Sequence, residues 1–139
     1  MSIPKHRTLK DFQVSSHLLF LWGIYHALLN QIYELALLES MVVVLSILFH
    51  INHERETPIA MADRVCARLL FLYGMIQMFY APSDFLLAVE ALLAGATAGI
   101  WRFCVMFPEH NERLHPLGLH ICPGLWSVVV ATNHEALVF

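Results

Sequence analysis

Charged side chains are scarce in this chain: Asp, Glu, Lys and Arg make up 14% of its 139 residues, while 58% are hydrophobic. Soluble domains carry roughly 25% charged residues, so the composition argues against a soluble domain and favours a helical membrane protein. The net charge is −3 and no basic cluster or nucleic-acid motif is present, so we expect no nucleic-acid partner. The length fits a single domain covering residues 1–139.

The chain has only three cysteines, an odd number. The three cysteines, Cys66, Cys104 and Cys122, lie in apolar runs and lack the CxxC spacing of a zinc or redox motif. We therefore expect them to pack between helices and to form neither disulfides nor a thiolate metal site.

Lys, Arg and Pro are missing from the 36 residues between His17 and Asn52. One helix of that length would measure about 54 Å, nearly twice the roughly 30 Å of a bilayer's hydrocarbon core. The segment is therefore predicted to be a hairpin that turns near Asn30-Gln31. Pro58 is placed to begin the next helix, and Ser83 or Asp84 can cap the one after it. The sequence predicts an all-α bundle with a basic tail at 1–15 and spans at about 16–29, 32–51, 59–80, 85–107 and 114–132.

The basic residues agree with five spans. All eight lie in the N-terminal tail, around the loop between spans two and three, or beside the loop between spans four and five. With five spans, these positions all fall on one side of the membrane, which by the positive-inside rule is the cytoplasm, matrix or stroma. The prediction is N-in and C-out.

This topology brings a set of polar residues to one membrane depth: Ser46, His50, Asp63, His115 and His120. Polar and ionisable groups inside a membrane usually line a site or pair with one another. Three imidazoles with one water form a recurrent zinc site, and a nearby carboxylate can move protons. The candidate metal ligands are His50, His115 and His120, with Ser46 and Asp63 as the candidate catalytic residues that hold the water.

The order of these residues resembles the CREST superfamily, which includes alkaline ceramidases, progestin/adipoQ receptors and haemolysin-III-like proteins. Ser46-Ile-Leu-Phe-His50 is similar to its Ser-xxx-His element, Asp63 to the Asp that follows, and His115 to the first of two closing histidines. The resemblance implies a zinc site near the cytosolic face of a membrane bundle and, in several members, hydrolysis of lipid amides.

Two features depart from that pattern. Five spans are fewer than the usual seven, and HPLGLH places His120 five residues after His115, where the superfamily has a four-residue spacing. Five residues of α-helix rotate the chain by about 140° beyond a full turn, so the two rings would point apart. A π-bulge would bring them together, and Pro116 and Pro123 favour an irregular helix here.

Other polar residues have simpler interpretations. Arg64 and Arg68 lie four residues apart at the inner face, where they can bind lipid phosphate such as that of cardiolipin, or pair with Asp63. Glu39 is expected to be solvated on the outer side and His134 to be solvated in the tail. Glu90 is expected to bond a neighbouring helix, with a role as a proton carrier as the alternative.

Two functional hypotheses follow. The first is a small, non-catalytic accessory subunit of a larger membrane complex of respiratory, ATP-synthase or photosynthetic type. The mitochondrial inner membrane is its candidate location, and lipids and other subunits are its expected partners. The second is a zinc-dependent lipid amide hydrolase. Roles in haem binding through His26 with His50 or His120, in quinone binding or in transport stay open.

Overall fold

The computed structural model describes residues 16–51 and 57–134, and within these residues the chain is helical with no strand. The last helical stretch changes type along its length, and its three parts are together called the terminal helix. The elements are α1 (Leu18–Leu29), α2 (Tyr33–Ile51), α3 (Pro58–Met78), α4 (Asp84–Met106), a 3-10 turn (Pro108–His110), and the terminal helix of α5 (Asn111–Pro116), a π-helical segment (Leu117–Ile121) and α6 (Cys122–Asn133).

The helix ends follow local sequence signals, and three predicted boundaries are confirmed. The hairpin turns at Asn30 and Gln31, where Gln31 takes a positive φ of 61°. Thr57 caps α3 by accepting from the Ala60 N–H at 3.3 Å, with Pro58 in the first turn. Ser83 caps α4 in the same way, accepting from Leu86 N–H at 3.3 Å.

Three helices of the described chain are long and apolar enough to cross a membrane: Tyr33–Ile51, Asp84–Met106 and Arg113–Asn133. Residues 18–29 form an apolar helix of only 12 residues, about 18 Å long against a hydrocarbon core of roughly 30 Å. Residues 58–78 are long enough but carry three charged side chains in their first half. The all-helical membrane architecture thus agrees with the sequence, whereas five spans with an N-in orientation remain a prediction. The tail at 1–15 lies outside the described residues.

Helices that pack together are not always neighbours along the chain. The hairpin partners α1 and α2 pack together, α2 packs on α3, and α4 packs on the terminal helix. The short α1 also packs against α6, and the amide of Asn30 ties the two together by donating to the Ala131 carbonyl at 2.6 Å. Because α1 contacts both α2 and the terminal helix, residues at its start can join any site formed between those two.

Burial in the bundle is the reverse of that in a soluble domain. Glu39, His50, Gln77 and Glu90 are at most 1% exposed, while large apolar side chains such as Phe85, Leu92 and Trp101 lie on the surface. Polar groups gathered inside and hydrocarbon outside suit a lipid surrounding. The buried polar groups form two clusters, one toward each end of α2.

Candidate metal centre

The C-terminal end of α2 and the first turns of α3 hold the first part of the site. Ser46 and His50 are one helical turn apart, share one face of α2, and are both buried. The Ser46 hydroxyl donates to the carboxylate of Asp63, and His50 and Arg64 lie close enough to act on that carboxylate electrostatically. The predicted grouping of Ser46, His50 and Asp63 is therefore present in the structure.

Three buried imidazoles lie together beside the Ser46–Asp63 pair. His17, His50 and His120 each offer a ring nitrogen, and these atoms all lie within 4.8 Å of one another. The ring centroids of His17 and His120 are 3.7 Å apart. The ring centroid of His50 lies 5.7 Å from that of His17 and 5.5 Å from that of His120. The three rings come from separate parts of the fold: the start of α1, the end of α2 and the terminal helix.

The π-helical segment explains how His120 reaches the site together with His115. Along Leu117–Ile121 the helix widens, and the Cys122 N–H donates to the carbonyl of Leu117, five residues earlier. In this geometry residues five apart lie on the same face. The rings of His115 and His120 are accordingly only 4.9 Å apart, and the His115 ring is 5.5 Å from that of His50. An irregular helix at this point was predicted from the prolines, and the structure contains one.

The predicted ligand set changes in one member. His50 and His120 belong to the group of converging nitrogens, but His17 takes the third position and His115 is not part of that group. His115 lies beside the three rings and is only half-buried. We call these four residues the histidine cluster: His17, His50, His115 and His120.

A hydroxyl orients one of the rings. Ser16 Oγ lies 2.7 Å from Nδ1 of His120, and both residues are buried. When Nδ1 carries the proton and donates to Ser16, Nε2 is the atom of His120 that has the lone pair a metal ion requires. Metal-binding histidines are commonly fixed by a hydrogen bond of this kind on the second nitrogen.

Ser16 and His17 were missed by the sequence argument. Their signal is weak: they stand just before the first apolar helix, at the start of the segment that lacks Lys, Arg and Pro. Nothing local links them to a histidine more than 100 residues away. The two arginines predicted to bind lipid, Arg64 and Arg68, are exposed on α3 beside the site, and their lipid-binding role stays a prediction.

The second buried polar group lies toward the other end of α2, and two expectations about it were wrong. Glu39, expected to be solvated, is 0% exposed and accepts a hydrogen bond from Ser127 of α6. His134, also expected to be solvated, is buried, and its Nε2 lies 2.5 Å from a carboxylate oxygen of Glu90. The expectation that Glu90 bonds a neighbouring helix is confirmed, since Trp126 Nε1 also approaches it at 3.5 Å.

A pair on α3 completes this region, where the Gln77 amide donates to the Tyr73 hydroxyl at 2.9 Å. We call the whole group the carboxyl cluster. Its members are Glu39, Tyr73, Gln77, Glu90, Trp126, Ser127 and His134. Glu39 and His50 are eleven residues apart on one helix, which separates the two clusters by about 16 Å along its axis.

Comparison of the chain with models of known families, with curated proteins and with solved structures gives no match in any of the three.

Proposed function

We propose that this chain is a membrane-embedded, zinc-dependent hydrolase of a lipid amide. The observation that carries the proposal is the convergence of three buried imidazoles, from His17, His50 and His120, beside the Ser46–Asp63 pair. The similarity of Ser46, His50 and Asp63 to the CREST pattern supports the same chemistry.

The donor set fits zinc. Zinc takes imidazole nitrogen at about 2.0–2.1 Å, and a tetrahedral site then places the nitrogens roughly 3.4 Å from one another. The three nitrogens here lie within 4.8 Å, so a contraction of about 1.4 Å at most, through rotation of the rings, would bring them to bonding geometry. Three protein ligands leave the fourth position open, as in catalytic zinc sites.

Zinc bound here would polarise the substrate carbonyl and favour ionisation of a water molecule. Asp63 would accept the proton of the attacking water, while Ser46 would hold the carboxylate in position by donating to it. Half-buried His115, next to His120, can deliver a proton to the departing amine. Hydrolysis would thus add hydroxide to the carbonyl carbon, break the C–N bond and add a proton to the departing nitrogen, which gives a fatty acid and an amine.

The test begins with the metal. Protein purified in mild detergent is expected to contain about one zinc per chain by elemental analysis, and the His17→Ala and His50→Ala variants are expected to lose it. His115→Ala and His110→Ala should keep it, since His115 lies outside the converging nitrogens and His110 is an exposed residue of the 3-10 turn. Equal zinc in wild type, His17→Ala and His50→Ala would contradict the site.

Catalysis is measured separately on N-acyl sphingoid lipids with a fluorescent acyl chain. Asp63→Asn should keep its zinc and release no fatty acid, because the amide cannot accept the water proton. Zinc-loaded wild-type protein that releases no fatty acid from any N-acyl lipid would refute the hydrolase while leaving the metal site intact.

A second candidate is the non-catalytic accessory subunit of a larger membrane complex, and α4 is the observation in its favour. Only 17% of the apolar window of α4 is buried, against 39% and 44% for the other two candidate spans. A Cβ built at Gly95 or Gly99 meets no atom within 4 Å, so α4 presents small residues of the kind that helices in membranes use for close packing.

Native gel electrophoresis of membranes solubilised in mild detergent tests this role. An accessory subunit of a respiratory or ATP-synthase-like complex of the mitochondrial inner membrane should migrate with that complex, and Gly95→Leu with Gly99→Leu should release it. Migration as a free chain of 15.9 kDa plus detergent would exclude the subunit role.

A further inference from the structure

The carboxyl cluster plays no part in the proposed hydrolysis, and it contains two fully buried acids in different surroundings. Glu39 is 0% exposed and lies where α1, α2 and α6 cross. The backbone of α1 covers it closely, since a Cβ on Gly23 would stand 2.9 Å from both carboxyl oxygens. Oε1 accepts from the Ser127 hydroxyl, while buried Oε2 has no hydrogen-bond partner among the described residues.

No cation faces Glu39 within the described part of the chain. From α3 the neighbouring titratable group is the Tyr73 phenol, and from its own helix it is Glu34, which with Glu39 acts on that phenol. Ser127 from α6 and Gly23 from α1 do not titrate. Among these neighbours in the described chain, any charge would be negative, the same sign as that of a Glu39 carboxylate.

Glu90 has the opposite surroundings. Its Oε1 lies 2.5 Å from Nε2 of His134, with both side chains at most 1% exposed, and its Oε2 is approached by the Trp126 indole N–H. Protonation of His134 would neutralise a carboxylate at Glu90. A buried charge is tolerated when it is paired and hydrogen-bonded.

We propose that Glu39 is a proton-binding site, which holds one exchangeable proton on its carboxyl group while Glu90 remains ionised against His134. The burial of Glu39 without a cation carries this inference, because an unpaired carboxylate in such a place is far costlier than a neutral acid. The proton belongs on Oε2, since Oε1 accepts from Ser127.

Nearby acceptors extend the site beyond one atom. Gln77, also 0% exposed, donates its amide to Tyr73, and its own Oε1 has no hydrogen-bond partner within the described chain. Buried acceptors beside a neutral acid are the groups that a migrating proton needs. The site is independent of the proposed zinc centre, which lies about 16 Å away along α2.

Infrared spectroscopy of the protein in lipid nanodiscs tests the proposal, because a protonated carboxyl has a carbonyl stretching band that a carboxylate lacks. At neutral pH the wild type should show such a band, and it should shift on transfer from H₂O to D₂O. Glu39→Gln should lose the band, while Glu90→Gln, the matched control for a buried acid, should keep it. Ser127→Ala should move it to higher frequency through loss of the hydrogen bond.

Two spectroscopic outcomes would overturn the assignment: a wild-type spectrum with no protonated-carboxyl band at neutral pH, or a band that persists in Glu39→Gln. Folding is checked by thermal unfolding of each variant. A neutral Glu39 is nearly isosteric with Gln, so Glu39→Gln should leave the melting temperature almost unchanged, whereas Glu90→Gln should lower it by leaving His134 buried without its counter-charge. A larger loss in Glu39→Gln than in Glu90→Gln would show that Glu39 is the ionised member.

Discussion

Replacing Gly74 with Ala should destabilise the bundle through one side chain, Trp126. A Cβ at Gly74 would stand 2.8 Å from Cζ2, 2.9 Å from Cη2 and 3.1 Å from Cε2 of that indole. Carbon atoms pack at about 3.5–4.0 Å, so the ring must retreat by roughly 0.5–1 Å. It has little room to do so, because Phe71 packs edge-on against it at 5.5 Å and its N–H points at Glu90. Overpacking of this kind costs about 1–3 kcal/mol.

The alanine also brings a gain, since Ala is favoured over Gly inside a helix by roughly 0.8–1.0 kcal/mol. Gly99→Ala on α4 is the matched control, because a Cβ there meets nothing within 4 Å. Subtracting one variant from the other cancels the helix propensity. The unfolding free energy of Gly74→Ala, measured by titration from mild detergent into dodecyl sulfate, should therefore fall about 1–3 kcal/mol below that of Gly99→Ala.

Trp126→Phe provides the second control, since the smaller ring has no atoms where the new methyl group would lie. The double variant Gly74→Ala with Trp126→Phe should recover most of the overpacking cost, with a coupling energy of about 1–3 kcal/mol. If Gly74→Ala and Gly99→Ala were equally stable, or if the coupling were zero, Trp126 would not be held against α3 as described.

Two further changes probe the metal centre and the hairpin. The methyl group of Gly118→Ala in the π segment would overlap Cβ and Cγ2 of Ile100 and push the terminal helix off α4. Bound zinc, measured by elemental analysis, should fall several-fold, and adding Ile100→Gly should restore the zinc content. Unchanged zinc in Gly118→Ala would show that the π segment does not position His120. Gln31→Gly should raise the unfolding free energy by roughly 0.5–1 kcal/mol. The reason is that Gln31 has a positive φ of 61°, a conformation that costs a residue with a side chain about 1–2 kcal/mol. Gln31→Ala, which keeps the Cβ, should show no such gain.

Local signals in the sequence predicted the helical framework well. The Asn30-Gln31 turn, Pro58 at the start of α3 and Ser83 at the start of α4 follow from capping and backbone preferences within a few residues. The proximity of Ser46 and His50 follows from one helical turn. These features depend on short-range geometry, which a single sequence contains.

The features that could not be predicted from the sequence depend on contacts between distant segments. His17 joins the site because α1 packs against both α2 and the terminal helix, and no spacing in the chain encodes that. Burial of Glu39 depends on Ser127, 88 residues later, and burial of His134 depends on Glu90, 44 residues earlier. Each looked like an ordinary polar residue beside a membrane surface, because its partner could be identified only from the packing.

The π segment also fixes the direction in which everything after it faces. In an α-helix each residue added or removed turns the following helix by about 100°. Removing Leu119 would leave the two histidines four residues apart, the spacing that a regular helix needs to hold them on one face. Because the π segment spreads five residues over about the rotation that four α-helical residues make, the same deletion would leave Trp126 and Ser127 facing their carboxyl partners.

The two polar clusters are thus bound to one rotational register. A residue added or removed in the regular helix between Ile121 and Trp126, beyond the π segment, would turn Trp126 and Ser127 by about 100° relative to His120 and break the contacts of one cluster.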